Sequence, residues 1–148
     1  MVRLYYRGMA GKNGKPKVGR SARLLGIRPG IDIDVAHMPQ GWLDEKGYLR
    51  PEENRDDSGS KVEVAIRNTK GMSTSLSIEG LPPFRKPAEF GGTGRDPLWQ
   101  IDESYITDDL EAVQDSETHV SIMPRTTMLL ERYETALANT QDHWQRVN

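Results

Sequence analysis

Three small hydroxyls in succession, Ser73, Thr74 and Ser75, stand behind a glycine in KGMSTSLSI (70–78), and an imidazole, His119, opens the alternating segment HVSIMP (119–124). Serine and threonine hydroxyls donate and accept hydrogen bonds, and a histidine ring does both near neutral pH. Brought together, these groups would suit a carboxamide or an amide-bearing ring, and the imidazole could serve as a general base. Left apart, the hydroxyls make an ordinary turn and edge strand, satisfying backbone groups locally. His119 alternates with Ser121 and Met123, opposite Val120 and Ile122, so it lies either at the surface or in a cleft. The other histidines offer less. His37 precedes Met38-Pro39 in a loop, His143 lies in a polar tail, and no spacing among the three indicates a metal site.

The elements that must position these groups are mostly strands. RLYYRGM (3–9) alternates, with Leu4 and Tyr6 on one side and Tyr5 and Arg7 on the other, before a glycine- and lysine-rich loop, AGKNGKPK. RSARLLGI (20–27) reads as a short helix stopped by Arg28-Pro29-Gly30, and IDIDV (31–35) as a strand. The 24 residues of HMPQGWLDEKGYLRPEENRDDSGS carry few periodic apolar positions and read as a long loop. KVEVAIRN presents Val62, Val64 and Ile66 on one face, and LWQI and DLEAVQ read as short strands. From Thr127 onward Leu129, Tyr133, Ala136, Leu137, Thr140 and Trp144 recur at helical spacing, with Thr127 as N-cap and Glu131 near the positive helix end. This predicts a terminal amphipathic helix packed on a sheet, and 148 residues fit a single domain, 1–148.

Composition limits the classes of function. The hydrophobic share is 35%, with 14 glycines and 9 prolines, which suits a loop-rich fold rather than a helical bundle. The absence of cysteine excludes disulfides and thiolate metal sites, and a reducing cytoplasm is permitted. No apolar run approaches the roughly 20 residues that span a bilayer, and the N-terminus lacks a signal-peptide core, so any export is expected to bypass the general secretory route. Eight basic residues precede Asp32 and no acidic one does, which leaves 12 basic and 22 acidic residues in the rest of the chain. Such a dipole either holds a phosphate-bearing ligand or nucleic acid at its basic third, or simply balances a solvated acidic face.

YYRG, KVGR, GMSTS, LWQIDESYITDDLEAVQDS, and HVSIMP followed by a methionine and the terminal helix occur in an order that resembles the growth-arresting toxins exported by type VI secretion, the ADP-ribosyltransferase-like "exported effector two" family. The resemblance covers most of the chain except residues 32–60. It implies an α+β, ADP-ribosyltransferase-like fold, with two small packed antiparallel sheets around a cleft that binds NAD and a C-terminal amphipathic helix. By position, Arg7 matches the first-strand arginine that lies against the dinucleotide. Ser73 and Ser75 match the hydroxyl strand that orders this arginine and the nicotinamide end, and Arg28 is a candidate pyrophosphate contact. Thr74 and His119 fall at the catalytic end, His119 matching the toxin family's histidine. One departure stands out. The catalytic glutamate expected four residues before Pro124 is Val120 here, and Asp115 or Glu117 could replace it only if the loop before the strand bends inward.

The resemblance further implies action in a bacterial cytoplasm, an unidentified protein or RNA acceptor, and a cognate immunity protein. Two other classes remain open on the residues alone. One is a ribonuclease-type toxin using His119 beside the basic third. The other is a non-catalytic module that blocks a partner through Leu129, Leu137 and Trp144 of the terminal helix.

Overall fold

Period-two alternation of apolar residues dominates the chain, and the computed structural model, which describes residues 3–12, 14–16, 35–37 and 65–148, turns that alternation into antiparallel sheet. In chain order the strands are β1 (Leu4–Gly8), β2 (Gly11–Lys12), β3 (Lys15–Pro16), β4 (Val35–His37), β5 (Ala65–Ile66), β6 (Met72–Ser75), β7 (Leu98–Asp102), β8 (Leu110–Gln114), β9 (His119–Pro124) and β10 (Met128–Leu129). Helix α1 (Leu130–Ala138), strand β11 (Gln145–Arg146) and four short 3-10 turns complete the described elements. Six strands form the main sheet in the order β11-β7-β1-β6-β9-β8, with every neighbouring pair antiparallel. A three-stranded sheet, β10-β5-β4, and the hairpin β2-β3 accompany it. The architecture among the described residues is α+β, mostly one antiparallel sheet with one short helix. Arg28, the helix expected over 20–27, most of IDIDV, the long loop beyond His37, Val62 and Val64 lie outside the described residues, and His37, expected in that loop, ends β4 and pairs with Ala65 instead.

One face of the main sheet buries Tyr5, Met72, Trp99, Ile101, Val120 and Ile122, and Tyr133, Leu137 and Trp144 from the C-terminal segment join the same core. Helix and sheet are also tied by a hydroxyl. Tyr133 Oη donates to the Ile122 carbonyl (2.7 Å) and accepts from the Met72 N–H (3.0 Å), so it bridges β6 and β9 where Met72 lies opposite Ile122. Gly71 explains the close approach at that point: a Cβ there would meet the Ile122 oxygen at 2.2 Å.

The C-terminal segment departs from the long helix expected from its periodicity. Met128 and Leu129 pair with Ile66 and Ala65 as a strand, so the helix begins only at Leu130; its N-cap is Leu129, without a side-chain cap, rather than Thr127. At the other end Thr140 Oγ1 donates to the Leu137 carbonyl (2.6 Å) and accepts from Trp144 Nε1 (2.9 Å), which closes the helix and seats the indole in the core. A turn of 3-10 helix (Gln141–His143) then leads into β11 on the edge of β7. The apolar spacing was real, but pairing with distant strands at both ends claimed residues that helical propensity left undecided.

Two measurements test these contacts. Tyr133→Phe leaves two buried backbone groups without their hydroxyl bridge and should cost about 1–3 kcal/mol of stability in urea denaturation. Tyr5 donates to Glu103 Oε2 (2.8 Å). Burial, then this hydrogen bond and the Glu103 charge, push its pKa up from 10.0 to about 12. The folded state therefore holds the proton more tightly than the unfolded one, so this contribution is complete below pH 10.0 and is lost as pH rises through about 12. The stability advantage of wild type over Tyr5→Phe should shrink across that window.

Candidate functional site

Residues directly opposite one another in an antiparallel ladder point to the same face. Tyr6 lies opposite Ser75, Ser75 opposite His119, and Ser73 opposite Ser121. One face of the main sheet therefore carries Tyr6, Ser73, Ser75, His119 and Ser121. Alternation sends Arg7, Thr74 and Val120 to the other face, with the core. The sheet thus divides the sequence-predicted residues into two groups, Arg7 with Thr74 and Ser73 with Ser75 and His119, while Arg28 lies outside the described residues.

The two groups are coupled through the backbone of β6. Arg7 is 3% exposed, and its Nη1 donates to the Ser73 carbonyl at 2.7 Å. Thr74 is equally buried and donates from Oγ1 to the Val120 carbonyl at 2.8 Å, reinforcing the β6–β9 ladder. Ser75 folds the next turn: its Oγ donates to the Ser77 carbonyl (2.7 Å) and accepts from the Ser77 N–H (3.3 Å). Ser73 alone of the three is exposed. The hydroxyl run is therefore largely a device that fixes the strand and turn beside His119.

The turn between β8 and β9 supplies the carboxylate that the strand lacks. Gln114 Nε2 donates to the Ser116 carbonyl (2.9 Å), the His119 N–H donates to Ser116 Oγ (3.0 Å), and the Asp115 N–H donates to the His119 carbonyl (3.1 Å). This framework swings the Asp115 side chain back over the polar face. Its Oδ1 lies 2.5 Å from His119 Nδ1, and its Oδ2 accepts from Ser121 Oγ at 3.3 Å. A carboxylate at Nδ1 only accepts, so the contact places a proton on that nitrogen, and in the Nδ1–H tautomer Nε2 is the acceptor. Glu117 is exposed, and its carbonyl accepts from Gln114 (3.3 Å). Val120 is 1% exposed and packed in the core, so a glutamate in that slot would face apolar side chains. Of the two carboxylates expected to replace the glutamate if the turn bends inward, Asp115 is the one that reaches His119.

Two grooves lie elsewhere. One of about 620 Å³ is lined by residues that include Tyr105, Asp108, Arg132 and Asn139, and one of about 300 Å³ by Leu4, Gln100, Asp102 and Gln145 among others. They share Tyr105 and His143, whose rings stack at 3.9 Å with 8° between planes. His143 is exposed, as its place in a polar tail predicts. None of Arg7, Ser73, Thr74, Ser75 and His119 lines either groove. Among the described residues no three His, Asp or Glu side chains gather to hold a metal ion.

A protein-family model described as Tse2 ADP-ribosyltransferase toxin matches residues 3–144, a span that contains Arg7, the hydroxyl strand, Asp115 and His119. The chain belongs to the Tse2 ADP-ribosyltransferase toxin family. No match is found among the curated proteins or among the solved structures. Within the family's span, Asp115 and His119 form a direct contact between titratable side chains on the polar face, and it can be tested without any ligand. In long-range proton–nitrogen spectra of the His119 ring, wild type should show the Nδ1–H tautomer, and Asp115→Asn should move it toward Nε2–H. An unchanged tautomer would show that the carboxylate does not set the ring's state.

Proposed function

We propose that this chain is a growth-inhibiting toxin of one domain, 1–148, that binds NAD and transfers ADP-ribose to a macromolecule in the cytoplasm of the cell it enters. Membership of the Tse2 ADP-ribosyltransferase toxin family supports the class of reaction. The observation that carries the reading on this chain's own residues is the contact of Asp115 with His119 and Ser121 on one polar face. In this reading the main sheet is one wall of the NAD cleft and a second small sheet the other, and Arg28 is the residue proposed for the pyrophosphate. Arg7 and Thr74 act from behind the strand, holding the Ser73 and Val120 carbonyls so that Ser73 and His119 keep their relative position.

The step balances with NAD and an acceptor alone. The bond between the nicotinamide nitrogen and the ribose C1′ breaks, and nicotinamide leaves with the electron pair. A lone pair of the acceptor forms the new bond to C1′, and the acceptor's proton passes to His119 Nε2. Asp115 stabilises the protonated ring at Nδ1 and lends negative charge near the ribose as positive charge builds there. Export by type VI secretion and neutralisation by a dedicated immunity protein complete the proposal.

Purified chain incubated with labelled NAD and bacterial lysate should release nicotinamide and leave label in macromolecules. Loss of a positioned general base costs about 100-fold or more, so His119→Ala should fall by at least that factor and Asp115→Asn by a smaller one, with melting temperatures close to wild type. Growth arrest without NAD binding in calorimetry, or RNA fragmentation in the absence of NAD, would overturn the transferase reading.

A further inference from the structure

Among the described residues Phe84 is the most exposed large hydrophobic side chain, at 67%, yet the turn that carries it is held unusually firmly. Leu81 is buried at the start of the segment and Pro87 within it, and a 3-10 turn spans Pro83–Arg85. The Arg85 N–H donates to the Pro82 carbonyl (3.0 Å), the Thr93 N–H to the Pro83 carbonyl (2.9 Å), and the Gly94 N–H to the Lys86 carbonyl (2.9 Å). Three successive carbonyls also rest against glycines. A Cβ on Gly94 would meet the Phe84 oxygen at 2.6 Å, one on Gly8 the Arg85 oxygen at 2.3 Å, and one on Gly92 the Lys86 oxygen at 1.8 Å. Side chains at those glycines would push the turn away. The backbone is therefore fixed on all sides while the aromatic ring projects into solvent.

An aromatic group presented on a rigid turn loses little conformational entropy on binding, which is the property of an interface anchor. Its surroundings indicate the partner's chemistry. Pro82, Pro83 and Ala88, in the same segment, are also exposed and apolar. The Arg85 guanidinium lies 5.6 Å over the ring, so one face of the ring is covered and base stacking on that face is disfavoured. Arg85 and Lys86 follow Phe84 directly, with Glu89 the one acidic residue between Leu81 and Gly94. The turn's location is also informative. It rests on Gly8 of β1, two residues from Tyr6 and on the same face of the sheet as Tyr6, Ser75 and His119.

We propose that the Pro82–Phe84 turn is the docking anchor for the acceptor, and that the acceptor is a protein offering an apolar pocket rimmed by carboxylates. The anchor would bring the acceptor nucleophile to the rim of the face that carries His119. The inference rests on the transferase reading for its chemistry but not for its docking.

The test uses the full chain in bacterial lysate with labelled NAD, read separately in protein and in RNA, alongside growth arrest on expression inside bacteria. Phe84→Ala should lower protein-bound label at least about tenfold and restore growth, with NAD affinity in calorimetry and melting temperature unchanged, while Phe84→Tyr should keep most of the labelling. Wild-type labelling and arrest by Phe84→Ala, or label carried by RNA, would overturn the proposal. If wild type binds no NAD, the transferase reading fails by itself. Growth arrest then judges the anchor: Phe84→Ala arresting as wild type does would overturn it, and recovered growth would uphold it.

Discussion

Register between β6 and β9 determines which side chains meet, because a slip of one residue would exchange the faces of an entire strand. Several independent contacts hold it. Gly71 admits the Ile122 carbonyl, Tyr133 bridges the Met72 N–H to that same carbonyl, Thr74 binds the Val120 carbonyl, and the Leu76 N–H donates to the Thr118 carbonyl at 2.8 Å. Apolar burial supports the same pairing, since Met72, Val120 and Ile122 all enter the core. With the register set, Ser75 must lie opposite His119 and Ser73 opposite Ser121, and the polar face exists as a consequence.

The Asp115–His119 contact on that face is assembled from a hairpin rather than from two distant strands. Asp115 and His119 flank a turn whose hydrogen bonds are nearly all local, so their contact needs little beyond the β8–β9 ladder. A carboxylate on the strand itself, at Val120, would have faced the core. Placing it at the turn puts the charge on the polar side, where it touches both the imidazole and Ser121.

Bonded or closely packed backbone recurs at three turns among the described residues. The Phe84 turn is clamped against three glycines, the Asp115 turn by side-chain bonds to its own carbonyls, and the Ser75 turn by its hydroxyl on Ser77. At the first two turns the backbone groups are satisfied and an exposed side chain, Phe84 or Asp115, projects from the turn, whereas Ser75 is buried and its hydroxyl is itself the clamp. That division suits a protein with many loops and a modest apolar share, because ordered turns substitute for helices as platforms.

Local periodicity made much of the sheet legible. The alternation of RLYYRGM and HVSIMP assigned Tyr5 and Arg7, and Val120 and Ile122, to their faces correctly, and the order of short motifs pointed to the toxin family. Local signals could not reveal that Arg7 and His119 fall on opposite sides of one sheet, because that depends on which strand lies between them. Nor could they show that Thr74 spends its hydroxyl on β9, that Met128 and Leu129 leave the helix to pair with β5, or that Phe84 projects from a clamped turn. The sequence by itself determined the period, hence the faces of each strand, and the family. Only the tertiary structure decided which faces meet, because pairing, close approach at glycine and the capture of side-chain donors are set by residues far apart in the chain.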